Sequence, residues 1–274
     1  QTAITSLQEI VKSHPDEIDY QDALGTALIG LGQVEQNVSQ RPAADRHLQQ
    51  ARSLFQALRI RYPESSRVLT ATTHSEKAYG VYLMDVGRAT EAVQIFDQAI
   101  QAHDVLVDEF PAEPEYFAQR AAARINLAEA LRSLGRWAVV VRNDESCVAD
   151  LQQVVRARPD VPLYREDLAI ARTNLGQSLR RLGSNTEAVP ILQKALESFE
   201  EMAASYRLPR YVEGLANTRI SLAQIFSELG QHDAALALVN TAIDDYRELL
   251  DVEPQSAIYQ ESLGLAHSNR GRIL

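Results

Sequence analysis

The side chains that most often perform chemistry are few in this sequence of 274 residues, and they are scattered along it. No two of its six histidines have the i, i+4 spacing with which one helix offers two ligands to a zinc ion. The histidines are His14, His47, His74, His103, His232 and His267. The single cysteine, Cys147, cannot build a metal cage or an internal disulfide. We therefore predict no metal site and no cofactor.

The glycines do not form a phosphate-binding loop. Gly30-Leu31-Gly32 falls within a predicted helix and lacks the Gly-Lys-Ser/Thr sequence that completes such a loop. The glycine-rich loop, the H-R-D sequence and the D-F-G sequence of protein kinases are also absent from the chain. We predict no catalytic residue and no enzymatic activity for this chain.

Arginine is the residue type whose placement indicates binding chemistry. Arg132, Arg180 and Arg181 bring three guanidinium groups to the middle of a chain with a net charge of −10. A guanidinium fork suits carboxylates and phosphates, so an acidic or phosphorylated peptide is a candidate partner. The alternative is that these arginines pair with local acids or are simply solvated.

The elements that position these residues follow an internal repeat. Residues recur about 48 positions apart, beginning with a mostly aromatic row: Tyr20, Val68, Tyr116, Tyr164, Tyr211 and Tyr259. A small residue follows in the first helix of each unit: Gly32, Gly80, Ala128, Gly176, Ala223 and Gly271. The junction between the two helices holds Ser39, Gly87, Gly135, Gly183 and Gly230. Two rows mark the second helix: Ala44, Ala92, Val140, Ala188 and Ala235, then Ala51, Ala99, Cys147, Ala195 and Ala242.

Each row has a physical reason. We expect the small residues where two helices approach closely, because a larger side chain there would overpack the contact at a cost of about 1–3 kcal/mol. Glycine at the junction supplies the left-handed backbone conformation that ends the first helix. A proline near the end of each unit stops the second helix, because it has no N–H to continue the hydrogen-bond ladder. Cys147 occupies a core position, so we expect a buried, inert thiol.

The stretch from Asn174 to Ala195 resembles the tetratricopeptide repeat (TPR). The matching residues are Asn174, Leu175, Gly176, Gly183, Glu187, Ala188 and Ala195. The usual repeat has about 34 residues. The longer variety is similar to the arrays that follow the kinase domain in planctomycete-type bacterial serine/threonine protein kinases. The resemblance implies an all-α fold, a right-handed superhelical α-solenoid of helix-turn-helix repeats.

The repeat predicts one solenoid over residues 1–274, with five complete units. The units are 20–67, 68–115, 116–163, 164–210 and 211–258, between the end of a preceding repeat at 1–19 and the start of a further one at 259–274. In the first unit we expect helices near 20–37 and 42–61. Because the chain opens on Gln1 inside a second helix, we expect it to be a fragment of a larger protein.

The third unit departs from the pattern. Asn143 and Asp144 fall where the other units bury apolar pairs. One interpretation is a second helix that begins late or is rotated locally. The other is a hinge or a polar pocket, because an unsatisfied buried polar pair would cost several kcal/mol.

The resemblance to TPR arrays also places a binding surface. In such arrays the first helices line a concave groove that holds a protein or peptide. The outward positions of our register, with the strongest candidates first, are Ile29, Gln33, Lys77, Met84, Ile125, Glu129, Arg132, Thr173, Gln177, Arg180, Arg181, Ile220 and Gln224, then Thr26, Gln36, Asn37, His74, Val81, Asp85, Ala122, Ser133, Ile170, Asn217, Ser227 and Glu228. The Lys/Asn clamp with which some TPR proteins hold chaperone tails is not matched, because isoleucine and glutamine mostly occupy its positions.

A second arginine row has a structural interpretation. Arg124, Arg172 and Arg219 share one register position, where the usual consensus has an aromatic residue. We expect them to lie between helices and to pair with acids.

Composition excludes several classes of partner. The acidic balance and the spread of the charges argue against a nucleic-acid or anionic-membrane surface, which needs clustered lysine and arginine. No apolar run is long enough to span a bilayer. We expect a cytoplasmic location, although the larger protein could carry a membrane anchor.

Three hypotheses for function follow. The first is a non-catalytic scaffold that binds a protein or peptide in the groove. The second is the regulatory or sensor tail of a serine/threonine kinase, whose ATP-dependent catalytic domain would lie outside this chain. The third is a structural array that self-associates through its terminal helices.

Overall fold

The computed structural model of the chain describes residues 2–274. These residues form twelve α-helices and no strand, as the sequence predicts. The first six are α1 (Thr2–Ser13), α2 (Ile18–Asn37), α3 (Arg41–Arg61), α4 (Ser66–Asp85), α5 (Ala89–Glu109) and α6 (Pro114–Ser133). The next six are α7 (Trp137–Ala157), α8 (Pro162–Leu182), α9 (Asn185–Tyr206), α10 (Pro209–Glu228), α11 (His232–Val252) and α12 (Ala257–Ile273).

The chain divides into two compact units, the first ending at Arg136 and the second spanning Trp137–Leu274. In the first unit, each helix packs on the next from α1 to α6, and α4 also contacts α2 and α6. In the second unit, each helix packs on the next from α7 to α12, and α10 also contacts α8 and α12. The even-numbered helices within each unit are therefore neighbours in space as well as partners of the odd-numbered ones.

Short local signals set the helix ends. Pro114, Pro162 and Pro209 open α6, α8 and α10, at the position where a missing N–H costs no hydrogen bond. Gly87, Gly135, Gly183 and Gly230 follow the first helix of a pair with φ between 69° and 87°, the left-handed region that a Cβ disfavours. Ser39 takes the equivalent place after α2, with φ 61°.

Glycines in the even-numbered helices admit large side chains from the odd-numbered ones. A Cβ on Gly32 would lie 2.6 Å from Leu48 Cγ, and one on Gly176 would lie 2.4 Å from Leu192 Cγ. The same row holds Gly80, where a Cβ would meet the Phe96 ring at 2.4 Å. These contacts explain why the first helices carry small residues at this register position.

Alanines of the second helices lie in the core. Ala99, Ala188, Ala195 and Ala242 are all at most 1% exposed. Cys147 lies in the same row of α7 and is 2% exposed.

The expectation that the second helix of the third repeat begins late is wrong. α7 begins at Trp137, directly after the junction at Gly135, and continues without interruption to Ala157. Asn143 and Asp144 are buried within it. Asp144 Oδ2 accepts a hydrogen bond of 2.7 Å from Ser178 Oγ of α8, so the polar residue joins two helices instead of interrupting one.

Candidate binding surfaces

The even-numbered helices carry the predicted groove residues. We call the surface formed by α2, α4 and α6, and in the second unit by α8, α10 and α12, the first-helix face. Polar side chains on this face line several hollows, and many of the lining residues are predicted groove residues.

In the first unit, one hollow of about 400 Å³ lies between α2 and α4. Six of the expected residues line it: Gln33, Gln36, Asn37, His74, Lys77 and Val81. Thr26 and His74 line an adjoining hollow with Arg67, and Ala122 lines a third with His74 and Lys77. Lys77 is exposed. Among residues 2–274 no carboxylate forms an ion pair with it.

Other predicted residues of this unit lie outside these hollows. Met84 is half-buried, and Ile125 is 38% exposed. Glu129 is exposed and lies 3.6 Å from Arg132, one turn along α6. This pairing agrees with the alternative interpretation of Arg132 as an arginine beside a local acid.

Two predicted groove residues are buried. Ile29 is 2% exposed, so it is not available to a partner, and its prediction as a groove residue is wrong. Burial of the apolar isoleucine side chain stabilises the folded chain, and this favours a position in the core over one exposed in the groove. Thr173 is 7% exposed, and its Oγ1 lies 2.9 Å from Thr218 Oγ1, so it chiefly joins α8 to α10.

In the second unit, a hollow of about 320 Å³ lies between α8 and α10. Amide side chains dominate its edge: Asn174, Gln177 and Asn217, beside Ile170 and Thr173. Gln177 Nε2 donates a hydrogen bond of 2.9 Å to Ser221 Oγ, and Ile220 on the same helix is half-buried. This edge offers donors and acceptors suited to a peptide backbone.

A second hollow of this unit brings the predicted arginines together. The space has a volume of about 200 Å³ and is lined by Arg180, Arg181, Gln224, Ser227 and Glu228, together with three residues of α12 that lie outside the predicted set. Those three are Asn269, Arg272 and Ile273. We call this space the arginine hollow. Arg272 falls at the register position of Gln224 one repeat later, so extending the register into the incomplete sixth unit would have found it.

The arginine hollow contains more cations than anions. Arg180 Nη1 lies 2.6 Å from Glu228 Oε1, and Asn185 Nδ2 lies 3.0 Å from the other oxygen of that carboxylate. The Nε of Arg180 is buried and has no hydrogen-bond partner in the described part of the chain. Arg181 lies over the Trp137 ring, 5.8 Å from its centroid. With Arg272 the lining has three guanidinium groups and one carboxylate.

The second arginine row is mostly structural, as predicted. Arg219 Nη1 lies 2.5 Å from Asp245, and its Nη2 lies 3.3 Å from Glu200, so one guanidinium joins α9, α10 and α11. Arg124 lies 4.0 Å from Asp104. Arg172 differs from this expectation, because its guanidinium donates to the Ser198 hydroxyl at 3.5 Å. Burial lowers the pKa of Arg172 from its usual value.

No helix among the described residues combines the length and apolarity that crossing a bilayer requires.

Comparison with known sequences identifies the repeat in the second unit. The family model of the tetratricopeptide repeat matches residues 167–248, which cover most of α8 to α11. No curated protein sequence matches this chain.

Solved structures of similar fold extend the likeness to most of the chain. BtubC (BKLC) from P. vanneervenii is 15% identical over 92% of this chain and 88% of its own, with a TM-score of 0.63. The S. pombe nuclear import adaptor Nro1 is 17% identical over 96% of this chain and 89% of its own, with a TM-score of 0.61. A Rap protein in complex with the competence and sporulation factor is 15% identical over 92% of this chain and 65% of its own, with a TM-score of 0.51. These likenesses show an α-solenoid of TPR-type helical repeats.

Proposed function

We propose that this array of TPR-type repeats is a non-catalytic protein-binding module whose first-helix face holds an acidic or phosphorylated segment of a partner. The observation that carries the proposal is the arginine hollow, in which Arg180, Arg181 and Arg272 face a single carboxylate, that of Glu228. The local excess of positive charge contrasts with the net charge of −10 of the whole chain.

The charge balance favours a dianionic group. Three guanidinium groups and one carboxylate leave two uncompensated positive charges in the hollow. A phosphate monoester carries a charge of about −1.5 to −2 at pH 7 and offers three strong acceptor oxygens. Guanidinium forks bind such oxygens with two parallel hydrogen bonds.

The neighbouring hollow suits the rest of an extended segment. Asn174, Gln177 and Asn217 present amide groups along the α8–α10 edge, in the same unit as the arginine hollow. Amides hydrogen-bond a peptide backbone whatever its side chains, so this edge would supply affinity while the arginines supply specificity. The Rap protein of similar fold, solved with the competence and sporulation factor, lends general support to ligand binding by such arrays.

A peptide array tests the proposal. Degenerate peptides containing phosphoserine are compared with the same peptides containing serine, for the wild-type chain and for Arg180→Gln/Arg181→Gln/Arg272→Gln. We expect the triple variant to lose at least about tenfold in affinity for the phosphorylated set, because charge-assisted hydrogen bonds contribute about 1.5–3 kcal/mol each.

A matched control removes three charges elsewhere. Arg46, Arg156 and Arg247 lie exposed on the second helices α3, α7 and α11, and their combined replacement by glutamine gives the same change in net charge. Equal losses in the two triple variants would contradict the proposal, since they would indicate a general charge effect.

The two alternative hypotheses stay predictions. The kinase-tail hypothesis rests on the similarity of the 48-residue period to kinase-linked arrays. Determining the coding sequence before Gln1 tests both, because the hypothesis expects kinase motifs there. For self-association, the test is light scattering over a range of concentrations, where a constant monomer mass would contradict it.

A further inference from the structure

The third hollow of the first unit contains a histidine that the proposed function does not use. This hollow, of about 220 Å³, lies between α4, α5 and α6. His74 and Lys77 of α4 line it together with His103 of α5 and Ala122 and Ala123 of α6. We call it the His103 pocket.

His103 is a buried polar residue in the lining of this pocket. It is 4% exposed, and its Nδ1 is buried without a hydrogen-bond partner in residues 2–274. Buried polar side-chain atoms nearly always have such a partner, so an unpartnered one calls for a specific explanation. A ligand in the pocket that satisfies the imidazole is one such explanation.

The imidazole is neutral near pH 7. Burial lowers the pKa of His103 to about 4, with a smaller contribution from the positive charge of Arg120. A neutral imidazole has one N–H donor and one lone pair, so it pairs well with a hydroxyl, which both donates and accepts.

The walls of the pocket are mainly apolar. Ala122 and Ala123 present methyl groups, and the hydroxyl of Thr73 already donates to the carbonyl of Thr70 at 2.8 Å. Lys77 also lines the pocket, and an ammonium group over the face of an aromatic ring is a favourable contact. A purely apolar ligand would fit these walls but would leave the imidazole unsatisfied.

We propose that the His103 pocket binds a phenol, with the ring between α4 and α6 and the hydroxyl on the imidazole of His103. The phenol belongs either to a tyrosine side chain of a protein partner or to a free aromatic alcohol. This binding does not depend on the acidic segment proposed for the second unit.

Nuclear magnetic resonance of the whole chain tests the proposal. The histidine side chains are labelled with ¹⁵N, and phenol is titrated beside fluorobenzene, which has nearly the same shape and no hydroxyl. We expect phenol to shift the imidazole nitrogen signals of His103 and to bind about fivefold more tightly than fluorobenzene, the difference that one net hydrogen bond makes. Equal affinities, or His103 signals that do not move at millimolar phenol, would overturn the proposal.

A pair of variants locates the binding. Ala122→Phe places a ring in the pocket and is expected to abolish phenol binding. Ala23→Phe adds the same side chain at an exposed position of α2 and is expected to leave phenol binding unchanged. Retention of phenol binding by Ala122→Phe would place the ligand elsewhere and would refute the proposal.

Amino-acid amides distinguish the two sources of the phenol. N-acetyl-tyrosinamide and N-acetyl-phenylalaninamide are titrated in the same way. A preference for the tyrosine derivative supports a protein partner, and binding of free phenol alone supports a small-molecule ligand.

Discussion

At the scale of single residues, burial and hydrogen bonding distinguish positions that have the same place in the repeat. Ile29, Lys77 and Thr173 share one register position, yet their environments differ. Ile29 lies in the core, Lys77 is an exposed cation, and Thr173 forms a hydrogen bond between two helices. The register predicts which helix face a residue occupies. The chemistry of the side chain then decides whether it turns inward.

The histidine in the first-unit pocket should make stability depend on pH. The pKa of His103 is about 4 in the folded chain, below the usual value of 6.5, so the unfolded chain binds the proton more readily between these values. Stability is therefore fully present above about pH 6.5 and falls as the pH drops toward 4. We expect His103 to account for a loss of about 2 kcal/mol between pH 7 and pH 5.

Urea unfolding at both pH values, for wild type and His103→Gln, measures this contribution. The other titrating groups are common to the two proteins, so the difference between the two pH dependences isolates His103. An unchanged pH dependence in the variant would contradict the buried, neutral imidazole.

At the scale of the elements, close approach of paired helices is the main packing device. A Cβ on Gly176 would lie 2.4 Å from Leu192 Cγ, inside a contact between α8 and α9 that has no room for it. Gly176→Ala should therefore destabilise the second unit by about 1–3 kcal/mol, the usual cost of overpacking a core. Thermal unfolding followed by circular dichroism measures the effect.

Gly264 supplies the control in the same unit. It also lies inside a helix, α12, but a Cβ there would meet no atom within 4 Å. Gly264→Ala should leave stability unchanged or raise it by up to about 1 kcal/mol, because alanine favours the helix. If both alanines had the same effect, close helix approach would not be the reason for Gly176.

The helices themselves were predictable from the sequence. The predicted helices at 20–37 and 42–61 correspond to α2 and α3, because glycines, prolines and apolar spacing are local signals. The course of α7 was not predictable, because the sequence contains no sign that the Ser178 hydroxyl of α8 would donate a hydrogen bond to Asp144. The structural role of a polar residue in a core position can be assigned only when its hydrogen-bond partner on another helix is known.

At the scale of the whole molecule, the arginines of the candidate site show that local sequence patterns do not reveal which distant residues meet in the fold. Arg180 and Arg181 were recognisable as groove residues from the repeat, while Arg272 required the register to be extended into an incomplete unit. The acid that pairs with Arg180, Glu228, is 48 residues away in sequence. The register marked His74, Lys77 and Ala122 of the pocket around His103, but it did not mark His103 itself, which lies on the second helix α5.

The central claim is that partners bind on the first-helix face. The most direct test titrates ¹⁵N-labelled protein with a degenerate phosphoserine peptide pool and maps the perturbed amide signals. The account predicts perturbations along α8, α10 and α12, centred on Arg180 and Arg272, that disappear in Arg180→Gln/Arg181→Gln/Arg272→Gln. Perturbations confined to α7, α9 and α11, or their survival in the triple variant, would contradict it.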